Sequence, residues 1–178
     1  MGVKANRAKR PHRCLCRPIR QEEHPLLEEY LYEAIFVPPG SEPPPRSITA
    51  APELRVYVEQ FGRRHDHALV AESEGKIVGA AWARIMQDYG HVDDTTPSLA
   101  LAVHAAYRGQ GIGTALLQEL LRTLTEAGYA QASLSVQKAN PAIRLYRRMG
   151  FTTCRENAED LVMLRQLRPG LTPPAARN

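Results

Sequence analysis

The chain has 178 residues, 43% hydrophobic and 24% charged, the proportions of one folded domain with its own core and not of a disordered or fibrous protein. No apolar run nears the roughly 20 residues that cross a bilayer and the N-terminus lacks the apolar core of a secretory signal, so the expected location is cytoplasmic, without a membrane partner. Three cysteines, Cys14, Cys16 and Cys154, form an odd set that argues against a disulfide framework, and much of the formal charge of +4 sits in Lys4, Arg7, Lys9, Arg10 and Arg13,.

Those basic residues read as a flexible, solubilising tail over residues 1–14. A nucleic-acid adaptor would rest on this tail alone and lacks the interleaved aromatics of a single-strand platform, so it ranks last. His12, Cys14 and Cys16 make a His-x-Cys-x-Cys string with neither zinc spacing nor a fourth ligand, and no metal site is predicted.

Leu15 to Arg20 reads as a short strand. Glu22 to Phe36 places Leu26, Leu27, Tyr30, Leu31, Ala34 and Ile35 at the three-four spacing of an amphipathic helix. Prolines 38, 39 and 43 to 45 then impose a surface loop. Pro52 opens a second helix through Leu54, Tyr57, Val58 and Phe61, ending near Gly62. Ala68 to Glu72 and Lys76 to Met86 form a hairpin about Ser73-Glu74-Gly75, with Trp82 packed in its core or rim. Gln87 to Pro97 is a polar connection.

Ser98 to Val103 resumes as a strand. Ile112 to Ala127 shows the clearest helical face, Leu116, Leu117, Leu120, Leu121 and Leu124, stopped by Gly128. Ala132 to Val136 alternates as a half-buried strand. Asn140-Pro141 opens a helix of about two turns that ends at Gly150, and Leu161 to Leu167 closes the fold as a strand. Pro169 to Asn178 reads as a frayed tail. There is no internal repeat, and the folded domain is expected over residues 15–168.

Chemistry concentrates between the strand at Ser98 and the helix at Ile112. The segment Arg108-Gly109-Gln110-Gly111-Ile112-Gly113-Thr114 puts free backbone N–H groups and the positive end of a helix dipole where a phosphate can approach without meeting a Cβ. A P-loop would require Gly-Lys-Ser/Thr, and a dinucleotide fingerprint would want glycine where Thr114 stands.

This segment resembles the phosphate loop of the GNAT superfamily, Arg/Gln-x-x-Gly-x-Gly/Ala, through Arg108, Gly111 and Gly113. Leu99 to Val103 is similar to the family's central strand. The stretch from Asn140 to Phe151 matches its Asn-x-x-Ala-x-x-Leu-Tyr-x-x-x-Gly-Phe segment. The resemblance implies a mixed α/β GNAT fold: a central, mostly antiparallel twisted sheet, splayed at an acetyl-CoA site and flanked by helices. It implies acetyl-CoA as co-substrate, held by residues 108 to 114, by the main chain of Leu101 and Val103, and by Asn140, which also caps its helix. It implies direct transfer of acetyl to a primary amine of a small molecule or protein, with Tyr146 as general acid to the departing sulfur; otherwise Tyr146 is a core aromatic.

The base stays open between Glu72, His91, Asp93, Asp94, His104 and a water chain. Ala105-Ala106 replaces the family's common Pro-acidic pair, and Ser98 offers no carboxylate. Asp88, Asp93 and Asp94 suggest a negative rim that would attract a cationic amine. The acceptor site is expected from Phe36 to Ala50 and Gln87 to Pro97. A silent acyl-CoA sensor or scaffold is the alternative function, and sheet-edge pairing leaves a homodimer open.

Overall fold

The computed structural model describes residues 14–167; residues 1–13 of the expected basic tail, His12 included, and the expected C-terminal tail lie outside the described residues. Seven strands form one sheet: β1 (Leu15–Pro18), β2 (His67–Ser73), β3 (Lys76–Arg84), β4 (Ser98–Val103), β5 (Gln131–Gln137), β6 (Thr152–Glu156) and β7 (Asp160–Gln166). Their order is β1-β2-β3-β4-β5-β7-β6. Every neighbouring pair is antiparallel except β4 and β5, which are parallel. This is the expected mixed architecture. Among the described residues no helix is long and apolar enough to cross a membrane.

The sheet carries a helix layer on each face because its central strands are apolar on both. From β3, Val78, Ala81 and Ala83 pack with Leu116, Leu117, Leu120, Leu121 and Leu124 of α3 (Ile112–Glu126). Ala80 and Trp82 face the other way, onto Leu27, Tyr30 and Leu31 of α1 (Leu26–Ala34). Small alanines on the strand let both helices approach closely, and each leucine removed from water on α3 contributes about 1.5–3 kcal/mol. Val78 is an extra residue in β3, since Ala71 pairs with Gly79 and Glu72 with Ile77. This bulge keeps Val78 and Ala81 on one face despite their odd spacing. The β2–β3 turn has positive φ at both Glu74 and Gly75, the twist a two-residue hairpin requires.

Four elements differ from the sequence expectation. The first helix begins only at Leu26, after a 3-10 turn at Gln21–Glu23, because Pro25 has no N–H to continue the ladder. The helix opened by Pro52 stops after one turn, as α2 (Pro52–Arg55). Beyond it the carbonyl of Tyr57 accepts from Trp82 Nε1 at 3.1 Å, and those of Val56 and Glu59 both accept from Arg84 Nη1 at 2.9 Å. Tertiary donors thus replace the helical ladder. β6 was not expected at all: all five of its residues are exposed, so no apolar alternation marks it. The helix after Asn140 starts later than expected, at Ile143 and not at Pro141, as α4 (Ile143–Arg148).

Arg84 is held in turn by Asp66 through two bonds of 3.1 Å, and the two side chains are only 4% and 3% exposed. Replacing Asp66 by Ala would strand a buried guanidinium, and the expected loss is about 3–5 kcal/mol of unfolding free energy, measured by urea titration followed by circular dichroism.

Candidate active site

β4 and β5 share one registered pair, Ser98 with Ser133, reinforced by Ser133 N–H donating to Pro97 O at 3.0 Å. From that join the strands diverge. A Cβ at Gly90 would lie 2.4 Å from Ser98 Oγ and 3.0 Å from the backbone of Leu134 and Ser135, so the connection before β4 presses on the join itself, and only glycine fits.

Two hollows occupy the gap. The first, about 500 Å³, runs along Leu101, Ala102 and Val103 to Arg108, with Tyr32, Glu33 and the proline loop opposite. The second, about 490 Å³, is bounded by Leu99 to Leu101, by Ser135 to Gln137, and by the α1–α2 region. Ala34, Ile35, Phe36, Leu101, Asn140 and Tyr146 line both, so they stand where the two meet.

At the far end of the first hollow the chain leaves β4 through a 3-10 turn, Ala105–Tyr107, and enters α3 at Gly111. Gly109 and Gly111 have φ of 74° and 83°, a region closed to most L-residues. No side chain caps α3, so its first-turn N–H groups have no intrahelical partner and face an anion-favouring field. Gly113 brings this helix start against β4: a Cβ there would lie 3.8 Å from both Leu101 and Val103.

The other residues of this segment have distinct surroundings. Arg108 turns back, donating to Val103 O at 2.8 Å and to Glu33 at 3.3 Å. Gln110 donates to Ala106 O at 3.3 Å. The Ile112 side chain is buried in the core, which leaves its backbone for a ligand. Thr114 lies in the first turn of α3.

Tyr146 is 8% exposed, with its ring edge-on to Phe151. Burial pushes its phenol up to about 12, and its hydroxyl makes no hydrogen bond among the described residues. Tyr146 is therefore both a core aromatic and a wall of the hollows. Asn140 Oδ1 accepts from Ala142 N–H at 2.9 Å, which closes the turn before α4; the N-cap of α4 is Ala142, without a side-chain bond, and not the expected Asn140.

None of the five candidate bases lines either hollow. Glu72 is held by Arg17 at 3.0 Å on the β1–β2 side. His91 Nδ1 sits 3.0 Å from Met86 O, and its other nitrogen is 3.8 Å from Asp94. Asp93 accepts from Thr95 and from Gln131; burial raises its pKa, but hydrogen bonds from Thr95 and Thr96 outweigh this and hold it below the ordinary value. His104 Nε2 lies 3.2 Å from Tyr30 Oη. Of the negative rim expected of Asp88, Asp93 and Asp94, none lines either hollow, and Asp88 reaches the second only through the bond it accepts from Tyr57.

Of the expected acceptor segments, Phe36, Ile48 and Tyr89 do line the second hollow. So do Glu53, Tyr57, Glu159 and Asp160, which sequence reasoning missed: Tyr57 reads as one more apolar helix position, and the turn holding Glu159 depends on the unmarked β6. Tyr57 Oη donates to Asp88 at 2.7 Å, and Ser98 Oγ donates to the same oxygen at 2.7 Å. The other Asp88 oxygen is buried without a partner. Burial, then the charge of Asp88, holds the Tyr57 phenol well above its ordinary pKa.

A sequence model of the acetyltransferase (GNAT) family matches residues 28–151, and the chain belongs to that family. An N-alpha-acetyltransferase from Sulfurisphaera tokodaii is 35% identical over 104 residues, 53% of this chain and 62% of that protein. A mycothiol acetyltransferase from Streptomyces bingchenggensis is 33% identical over 134 residues, 73% of this chain and 37% of that one. The chain thus spans well under the full length of these curated relatives. The fold is shared with the PaiA N-acetyltransferase of Thermoplasma acidophilum in complex with coenzyme A, at a TM-score of 0.64 and 19% identity over 86% of this chain and 98% of that one. It is also shared with the ribosomal-protein-S18-alanine N-acetyltransferase of Escherichia coli, at 0.63 and 19% over 93% and 99%.

The two loop glycines should respond oppositely to alanine. Gly111→Ala, forced into a left-handed conformation, should lose about 1–2 kcal/mol. Gly113→Ala, with ordinary helical φ and room at 3.8 Å, should gain up to about 1 kcal/mol. Chemical denaturation of both variants reads the difference.

Proposed function

We propose that this protein transfers acetyl from acetyl-CoA to a primary amine by direct attack, with Tyr146 as general acid. The observation that carries this reading is the Tyr146 phenol, without a partner among the described residues, at the meeting point of a hollow leading to an anion-favouring helix start and a second hollow open to an acceptor.

On this reading the first-turn amides of α3 and the left-handed loop glycines receive the pyrophosphate. The edge of β4 at Leu101 and Val103, which faces no strand and whose Val103 carbonyl is bonded by Arg108, receives the amide-bearing arm, beside Asn140. The neutral amine attacks the thioester carbonyl from the second hollow: a C–N bond forms, the C–S bond breaks, and the Tyr146 proton passes to the sulfur. The ammonium nitrogen left by the attack releases a proton, which restores the phenol through water. Tyr57, hydrogen-bonded to Asp88, is the hydroxyl on the acceptor side nearest to a carboxylate in the hydrogen-bond network and offers a path for protons leaving the amine.

Calorimetric titration of acetyl-CoA tests the first half. The parent should bind, whereas the Gly111→Glu/Gly113→Glu variant should not, because two carboxylates would meet the phosphates; no binding by the parent would sink the reading. A silent acyl-CoA binder is the second reading, favoured by the absence of all five expected bases from the cleft, and release of free thiol with any amine decides against it.

Tyr146→Phe should lower kcat by about 10²–10⁴-fold while leaving acetyl-CoA binding unchanged. The sign of the pH effect follows from burial. A group acting as an acid must be protonated, and raising its pKa to about 12 keeps it protonated above pH 10, near which an ordinary exposed phenol (pKa about 10) would ionise. The pH profile of kcat should therefore show no tyrosine-dependent fall near pH 10, and a Tyr146-dependent descending limb there would contradict the assignment.

A further inference from the structure

The geometry points to a small aliphatic di- or polyamine as the acceptor, its reacting nitrogen at Tyr146 and a second, still protonated nitrogen held by Glu53, Glu159 and Asp160. This rests on the second hollow being the acceptor side of the transferase proposed above.

The charged groups lining that hollow are Glu53, Glu159 and Asp160, with no lysine, arginine or histidine among the lining residues. They come from two separate places, α2 and the β6–β7 turn that leads into β7, and converge on one opening. Several carboxylates elsewhere are paired with a base: Asp66 with Arg84, Glu33 with Arg108, Glu156 with Lys138, and Glu119 and Glu126 with Arg122. Among the described residues no ion pair reaches the three carboxylates of the hollow.

The turn that presents two of them is built to do so. Asn157 Oδ1 accepts from the N–H groups of Glu159 and Asp160 at 2.9 and 2.7 Å, and Glu159 O accepts from Lys138 N–H at 2.7 Å. Between the acidic groups stands Tyr89, 54% exposed, whose phenol is raised by burial and then by the charges of Glu53 and Asp160. An open aromatic ring flanked by carboxylates is a favourable seat for an ammonium group. The nearer walls, Ile35, Phe36, Ile48 and Leu54, suit a methylene chain.

Two constraints fix the class. The attacking nitrogen must be neutral, so the carboxylates serve another nitrogen of the same molecule. The hollow, at about 490 Å³, is the size of a small-molecule site and not of an extended macromolecular groove.

The test is a series of equal chain length, 1,4-diaminobutane, n-butylamine and 4-aminobutyrate, assayed by acetyl-CoA-dependent thiol release. The diamine should exceed butylamine in kcat/KM by at least about tenfold, the scale of one partly exposed charge pair, and aminobutyrate should be worst. Glu53→Gln/Asp160→Asn, at an exposed and a half-buried surface site, should erase most of the diamine's advantage over butylamine when the two are compared on the same variant. Added salt should weaken the diamine alone.

Equal rates across the series, or an unchanged preference in the double variant, would overturn the inference. So would turnover of a basic peptide with none of the diamine. If acetyl-CoA binds but no amine releases thiol, the transferase reading is at fault. Calorimetric titration of diaminobutane into the CoA complex then judges the inference alone: binding lost in the double variant supports it, and no binding by the parent overturns it.

Discussion

The parting of β4 from β5 is the constraint on which the rest of the molecule depends. Parallel neighbours ordinarily exchange evenly spaced bonds along their length; here the ladder closes at Ser98 and Ser133 and goes no further. The β4 edge beyond the join lies inside the sheet but has no strand to answer its N–H and C=O groups, and buried backbone groups must find partners. Such an edge suits a ligand that itself carries amides. The gap is also held from both ends. Gly90 and the Asp88–Ser98 bond bear on the join, while Asn140 and Tyr146 enter from the segment after β5. The opening is thus a built feature of the sheet.

The opposite wall is organised from the central strand. Trp82 and Arg84 project from β3 and take the carbonyls of Val56, Tyr57 and Glu59, and Arg84 also stacks over Phe61 with its carbon 5.5 Å from the ring centre. Hydrogen bonds from a charged donor are worth about 1.5–3 kcal/mol each, enough to outweigh the local helical preference of residues 56 to 61. The consequence reaches the cleft: Tyr57 is set toward Asp88 by the same segment that Trp82 and Arg84 anchor. A rigid strand thereby positions a wall that has little regular structure of its own.

Elements with one apolar face were legible in the sequence. The leucines of α3, the β2–β3 hairpin and β4 all follow periodicity, and the loop glycines stand out because positive φ and a free helix start leave a composition mark. What periodicity could not show is what tertiary contacts decide. The shortening of α2 depends on two side chains about 25 residues away in sequence. β6 has no buried face, so it exists only through pairing with β7. With β6 invisible, the turn that brings Glu159 and Asp160 to the cleft was invisible too. The acidic loop residues Asp93 and Asp94 were conspicuous by composition, yet their hydrogen bonds run to Thr95, Gln131 and Gln87.

Charge is segregated along the gap in a way that fits direct transfer. On the side of the first hollow the charged lining groups are matched: Arg108 pairs with Glu33. On the proposed reading anion binding there would fall mainly to backbone dipoles, which can hold phosphate without adding a strong net field. On the side of the second hollow the carboxylates are unmatched. A polyanionic donor and a cationic acceptor would each be favoured at its own end and disfavoured at the other, since misplacing either sets like charges together. On the proposed reading the two halves of the reaction would then meet at Tyr146, where burial keeps the phenol protonated.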